Sequence, residues 1–181
     1  MRKWNTVKTL SIISLVVSVV GLLVAYLTMR NYLSKTEEVL WNIKFSNLSA
    51  VKDGEANYIL PSISDTSLRD SKVSFVTSDD SVTFVFDVEN LGTIDAVLGT
   101  IFKGDLKCTG TGENAVSDAK KVCDNIQYTL KYDDGANVSA NDLLNKKNHR
   151  TMKLMLKSKV SPISRVTVTG FDLMMIYHQN S

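Results

Sequence analysis

The chain has 181 residues and a formal net charge of +2, with 44% hydrophobic and 22% charged residues, an ordinary composition for one domain plus an accessory segment. The excess charge is local: four of the 21 basic residues (Arg2, Lys3, Lys8 and Arg30) lie in the first thirty positions, and all 19 acidic residues follow position 36. The remaining 17 basic residues leave the body at 17 minus 19, or −2, with no Lys/Arg stripe. Nucleic-acid binding, which needs a phosphate-neutralising footprint, is therefore excluded from the expected partners.

Thr9 to Met29 contains no charged residue and is dense in Ile, Val and Leu. At 1.5 Å per residue a helix of this length matches a hydrocarbon core of about 30 Å, which predicts one transmembrane helix. Arg2, Lys3 and Lys8 precede it on a short tail, favouring a cytoplasmic N-terminus and an extracellular C-terminal body. Trp4, Tyr26 and Tyr32 stand where interfacial aromatics sit. A cleaved secretory signal would want a small-x-small site, and residues 24–30 read Val-Ala-Tyr-Leu-Thr-Met-Arg, so a retained signal anchor is the preferred reading. The organisation is then a tail at 1–8, a span at 9–29, a polar linker at 30–38 and an extracellular domain at 39–181.

Within the domain, residues 40–48 alternate and predict a strand burying Trp41, Ile43 and Phe45. Asp53-Gly54 marks a turn, residues 56–60 a second strand ended by Pro61, residues 62–70 a polar turn-rich stretch, and residues 72–77 a third strand with Val73 and Phe75 inward. Val82, Phe84, Phe86 and Val88 then alternate strictly against Thr83, Asp87 and Glu89. Asn90-Leu91-Gly92 tolerates positive φ, and residues 93–101 resume β character, which predicts strand, tight connection, strand.

Residues 103–124 form one long irregular region holding Cys108 and Cys123, with a helical turn over 117–122 capped by Ser117. Two cysteines and two histidines, His149 and His178, are too few and too scattered for a zinc site. A disulfide fits a domain outside the cell and would stabilise it by roughly 3 kcal/mol; otherwise the pair are two small hydrophobes. Residues 126–132, 150–157 and 165–178 alternate as further strands, the last with a bend at Gly170, and Leu143 and Leu144 pack from a short turn. Seven to nine antiparallel strands with no long amphipathic helix predict an all-β sandwich.

No arrangement of Ser, Cys, His or Lys matches a sortase or a signal peptidase, so the expectation is a protein that is not an enzyme and has no cofactor. Asp79-Asp80 and Asp133-Asp134 are weak calcium candidates: their spacing matches no EF-hand, and turn chemistry explains Asp-Asp and Asp-Asp-Gly better. Asn47-Leu48-Ser49 and Asn137-Val138-Ser139 match the glycosylation triplet, a pattern common by chance.

Four stretches together resemble the TasA and camelysin class of matrix-fibre and cell-surface proteins of Gram-positive bacteria: residues 19–26, Trp41-Asn42-Ile43-Lys44-Phe45-Ser46-Asn47-Leu48, residues 82–98 with their Phe86-to-Ala96 core, and residues 128–135 followed by Asp142-Leu143-Leu144. The resemblance implies an immunoglobulin-like or jelly-roll sandwich with a structural, adhesive or assembly role at the cell surface. The chain departs from that class at Leu27, Thr28, Met29 and Arg30, where small residues would mark a cleavage site. The expected partners are the membrane, spanned once, and a protein or a second copy added at a sheet edge. The alternatives are a secreted fibre subunit released by cleavage and a ligand- or calcium-binding sensor module.

Overall fold

A computed structural model describes residues 2–35 and 40–180, with side chains in the first segment described at Ser11, Ser14 and residues 16–30. The chain divides into two compact units, Met1–Glu38 and Val39–Ser181.

The first unit is a single helix, α1 (Arg2–Lys35), of 34 residues. Every described side chain on it is exposed. The hydroxyls of Ser18 and Thr28 donate to the carbonyls of Ser14 and Val24, one turn back, both at 2.9 Å. Among the described residues no helix is both long and apolar enough to cross a membrane. Of the span expected over Thr9 to Met29, the side chains at positions 9, 10, 12, 13 and 15 lie outside the described residues. The expected polar linker over 30–38 is helical as far as Lys35, and residues 36–39 lie outside the described residues.

The second unit is mostly antiparallel β. In chain order its elements are β1 (Ile43–Asp53), β2 (Asn57–Ile59), β3 (Ser62–Ser64), β4 (Ser67–Arg69), β5 (Lys72–Phe75), β6 (Ser81–Asn90), β7 (Ala96–Lys103), β8 (Lys107–Gly110), α2 (Ala115–Cys123), β9 (Ile126–Tyr132), β10 (Leu143–Leu144), β11 (Asn148–Ser158), β12 (Val166–Thr169) and β13 (Leu173–Gln179). One layer has the order β1-β6-β11-β9. The facing layer comes as two short sheets, β2-β5-β12-β8 and β3-β4-β13-β7-β10, whose first four strands correspond in order, β10 being added at the edge. Four passes of chain thus run through both short sheets, each interrupted at the same level: Leu60-Pro61, Asp70-Ser71, residues 104–106 and residues 170–172.

The inward faces follow from the alternation. β6 buries Val82, Phe84, Phe86 and Val88 completely, and β11 buries Met152, Leu154 and Leu156 beside it. The opposite layer contributes Val73, Phe75, Leu98, Val166, Val168 and Leu173. The layers interlock through aromatic rings: Phe84 stacks on Phe171 at 5.8 Å and receives the edge of Tyr58 at 6.1 Å. Each buried Phe is worth about 1.5–3 kcal/mol of hydrophobic stabilisation.

Several local expectations are corrected by this packing. The two runs around Asn90 do not form a hairpin, because β6 pairs with β1 and β11 whereas β7 pairs with β13 and β10. Both runs carry a hydrophobic face, and the core lies between the layers, so the chain crosses from one layer to the other. Trp41 lies before β1 and is exposed, while Phe45 is buried. Residues 62–70 are not a loop but the hairpin of β3 and β4. Leu143 and Leu144 form a short strand against Val97 and Ala96, with only Leu144 buried. The last pass is two strands in different short sheets, separated at Gly170, whose φ is +76°. The helix within 103–124 is longer than a turn, and Asn114, not Ser117, stands at its N-terminus.

Candidate functional site

The four acidic residues considered for calcium are not brought together. Asp80 is fully buried at the base of β6, and its carboxylate accepts hydrogen bonds from the amides of Val76 (2.7 Å), Thr77 (2.8 Å) and Glu55 (2.9 Å) and from the Thr77 hydroxyl (2.6 Å). Burial pushes its pKa up, but those four donors together outweigh burial and hold it below its ordinary value. Asp79 is ion-paired with Lys157 at 2.8 Å. Asp133 pairs with Lys153, and the Asp134 carboxylate accepts the Ala136 amide at 2.9 Å, closing the turn after β9.

The two acidic pairs also sit at opposite ends of β11. The Asp79 amide donates to the Ser158 carbonyl and the Asp133 amide to the Thr151 carbonyl. Seven residues of strand, about 23 Å, separate those carbonyls. Among the described residues no group of three or more His, Cys, Asp or Glu could hold a metal ion.

Cys108 on β8 and Cys123 at the end of α2 are joined as a disulfide with Cα atoms 5.9 Å apart. The bridge fastens α2 to the edge of its sheet. A second fastening was not legible in the sequence: Asp118, buried on the inner side of α2, accepts the amides of Ile163 (3.1 Å) and Ser164 (2.8 Å) and the Ser164 hydroxyl (2.9 Å). Desolvation raises its pKa, and the Ser164 and Ile163 hydrogen bonds, with Lys121 nearby, bring it below the ordinary value. The expected irregular loop is therefore a strand and a helix held at two points.

At the far end of β9 the Arg150 guanidinium lies over the Tyr132 ring, 3.3 Å from its centroid, and the Tyr132 hydroxyl donates to Asp142 at 2.8 Å. Burial and the Asp142 bond both push the Tyr132 phenol pKa upward. The arrangement joins β9, β11 and the turn at Asp142. On the outer face of the four-stranded layer a shallow groove of about 290 Å³ is lined by Thr83, Gln127, Thr129, Lys131, Lys153 and Met155. Lys153 there is committed to Asp133.

His149 and His178 are both exposed and on different layers, on β11 and β13. Asn47 of the first glycosylation triplet donates its side-chain amide to Asp87 at 2.8 Å, and both it and Asn137 of the second are exposed.

What the surface does offer is backbone. β9 is an edge strand whose only strand partner is β11. On its other side Lys131 bridges Asn137 and the Tyr132 amide reaches the Ala136 carbonyl, so the turn covers the last two residues. Among the described residues no strand covers positions 126–130. The opposite edge, β1, is met near its start by the Asp65 carbonyl, which accepts the Phe45 amide at 2.7 Å, and Val51 farther along is 65% exposed.

No protein-family model, curated protein or solved structure matches the chain.

Proposed function

We propose that the chain is a membrane-anchored display protein: α1 spans a bilayer once, with the N-terminus cytoplasmic, and the β-sandwich outside the cell acts through contacts and not through chemistry. The observation that carries this reading is the character of α1. Val16, Val17, Val19, Val20, Leu22, Leu23 and Val24 are all exposed, and at 100° per residue they cover about 220° of the helix, leaving Ser14, Ser18, Gly21 and Ala25 on the remaining arc. An exposed apolar face that wide needs an apolar surrounding. Hydroxyls that bond back to the helix's own carbonyls, as at Ser18 and Thr28, suit a lipid environment.

The finer fold and the role follow the resemblance to the TasA and camelysin class of Gram-positive surface proteins. Eight long passes of chain, four to a layer, with the connections on both sides of β6 crossing between layers, favour the jelly-roll side of that expectation. The open stretch of β9 supports assembly by strand addition. β1 and β9 run antiparallel to each other through β6 and β11, so β1 of a second copy laid against β9 would continue the antiparallel alternation.

The test is N-terminal sequencing and alkaline membrane extraction of the protein recovered from its own host. Retention of Arg2 in the extracted membrane pellet is the expected result. A chain beginning after Ala25 and found in the wall or medium refutes the anchor and makes the protein a secreted fibre subunit.

A further inference from the structure

Three segments meet at the end of the sandwich where the chain enters it. The Leu91 amide donates to the Asn42 carbonyl at 2.8 Å, the Thr93 amide to the Leu40 carbonyl at 3.0 Å, and the Lys147 ammonium to the Leu91 carbonyl at 2.7 Å. The Asn90 side-chain amide reaches the Leu144 carbonyl at 3.2 Å, and the Lys146 amide the Asp95 carboxylate at 2.7 Å. Gly92 permits this convergence, since a Cβ there would collide with the Leu40 carbonyl.

The convergence leaves apolar side chains outside. Leu40 is 48% exposed, Trp41 39% and Leu91 37%. Lys146 and Lys147 flank them, both exposed. The carboxylate nearest the lysines, Asp95, is already occupied by the Lys146 amide, and Glu89 accepts the Ser46 hydroxyl.

We propose, resting on the membrane-anchor reading, that this end of the sandwich is a lipid-contacting surface: Trp41, Leu40 and Leu91 enter the interfacial layer of the bilayer, and Lys146 and Lys147 engage lipid phosphates. Two observations select a bilayer as the occupant. The first is chain length: five peptide steps separate Lys35, the last residue of α1, from Leu40, a tether of at most about 18 Å. A surface so tethered meets the bilayer at high effective concentration, so a weak contact is populated. The second is chemistry: an exposed Trp among aliphatics with lysines at the rim is the composition that membrane interfaces select. Glu37 and Glu38 in the tether oppose the lysines, so the contact depends on the apolar trio as well as on charge.

The test uses the full chain carrying Trp4→Phe, which leaves Trp41 as its one indole, reconstituted in vesicles of phosphatidylcholine and phosphatidylglycerol with or without lipid brominated near the carbonyl. Flotation and alkaline extraction first report the anchor by themselves; a chain that does not float refutes the anchor reading and this one with it. For a chain that floats, Trp41 emission is expected to be quenched by the brominated lipid and shielded from aqueous acrylamide. A control with Trp41→Phe and Ile163→Trp puts the indole on a loop beyond the far end of β11, and it stays unquenched. Lys146→Gln with Lys147→Gln lowers the bound-to-free ratio of the surface about 30-fold on anionic vesicles, at about 1 kcal/mol per lysine. Leu40→Ser with Leu91→Ser abolishes the quenching, with thermal unfolding showing that the sandwich is intact. Trp41 that is unquenched by bromolipid yet fully open to acrylamide in a floating chain overturns the lipid contact and leaves the anchor standing.

Discussion

Replacing Asp80 should reveal how far three backbone amides depend on one buried carboxylate. Its carboxylate is completely buried and serves four donors, of which three are backbone amides, those of Glu55, Val76 and Thr77. Asp80→Ala removes the acceptor for all three, and a buried donor left unpaired costs about 1–3 kcal/mol. Partial entry of water lowers the sum, so the expected loss is about 3–5 kcal/mol, a large share of the 5–15 kcal/mol typical of a domain. Asp80→Asn keeps one acceptor oxygen and should fall between the two. The assay is urea unfolding of the full chain in micelles followed by Trp41 emission, read as a shift in midpoint at constant slope.

A pH titration of the same transition supplies an independent arm. Because the folded pKa is depressed below the ordinary 3.8, the carboxylate's contribution is fully present above the unfolded value and is lost as pH falls through the folded one. Wild-type stability should therefore drop below about pH 4 more steeply than that of Asp80→Ala. An alanine variant that loses less than about 1 kcal/mol, or that shows the wild-type acid slope, would refute the reasoning.

Gly54→Ala should cost about 2 kcal/mol, because φ is +72° there and the new Cβ would strike the Asp80 carboxylate; in an Asp80→Ala background the steric part disappears, which a double-mutant cycle in urea measures. Reduction of the Cys108–Cys123 bridge, or Cys108→Ser with Cys123→Ser, should lower the thermal midpoint by roughly 10 °C, from about 3 kcal/mol of lost loop constraint, with calorimetry as the readout. Asp118→Asn should lower the hydrogen-exchange protection factors of the Ile163 and Ser164 amides, which the carboxylate accepts, and leave those of the β6 amides unchanged; in the wild type the same protection factors, corrected for the intrinsic rate, should fall as pH drops below about 4.

The inward faces were legible because their signal is local. Val82, Phe84, Phe86 and Val88 alternate over a run longer than a helical turn, and Met152, Leu154 and Leu156 do the same, so burial could be assigned before partners were known. Partnership was not legible, because Asn90-Leu91-Gly92 has the chemistry of a hairpin turn whether the chain folds back or crosses to the other layer. The crossing is decided at long range, by the Asn90 amide on the Leu144 carbonyl and by β11 occupying the side of β6 that β7 would need. Asp118 was missed for a related reason. On its own it looks like a solvated helix residue, and only the return of residues 163–164 beneath α2 gives it donors. The bond of Asp134 to the Ala136 amide is local, two residues on, while nothing adjacent in sequence to Asp80 announces the amide of Glu55, twenty-five residues earlier.

At two of the four interrupted passes of the second layer the backbones come too close for side chains. The Gly104 amide donates to the Asp172 carbonyl at 2.7 Å, a Cβ on Gly104 would collide with the Gly170 carbonyl, and one on Gly170 would collide with the Asp105 carbonyl. The other two passes break at Pro61, which lacks an amide to donate, and at Asp70, where φ is +58°. The break turns the chain enough to place Phe171 inward, 1% exposed, between the two short sheets. Phe171 then fills the level that an unbroken strand would have left to smaller residues, and it stacks on Phe84 of the opposite layer. The glycines at 104 and 170 and the aromatic at 171 are thus one device: the first two let the layer bend, and the third occupies the space that the bend makes.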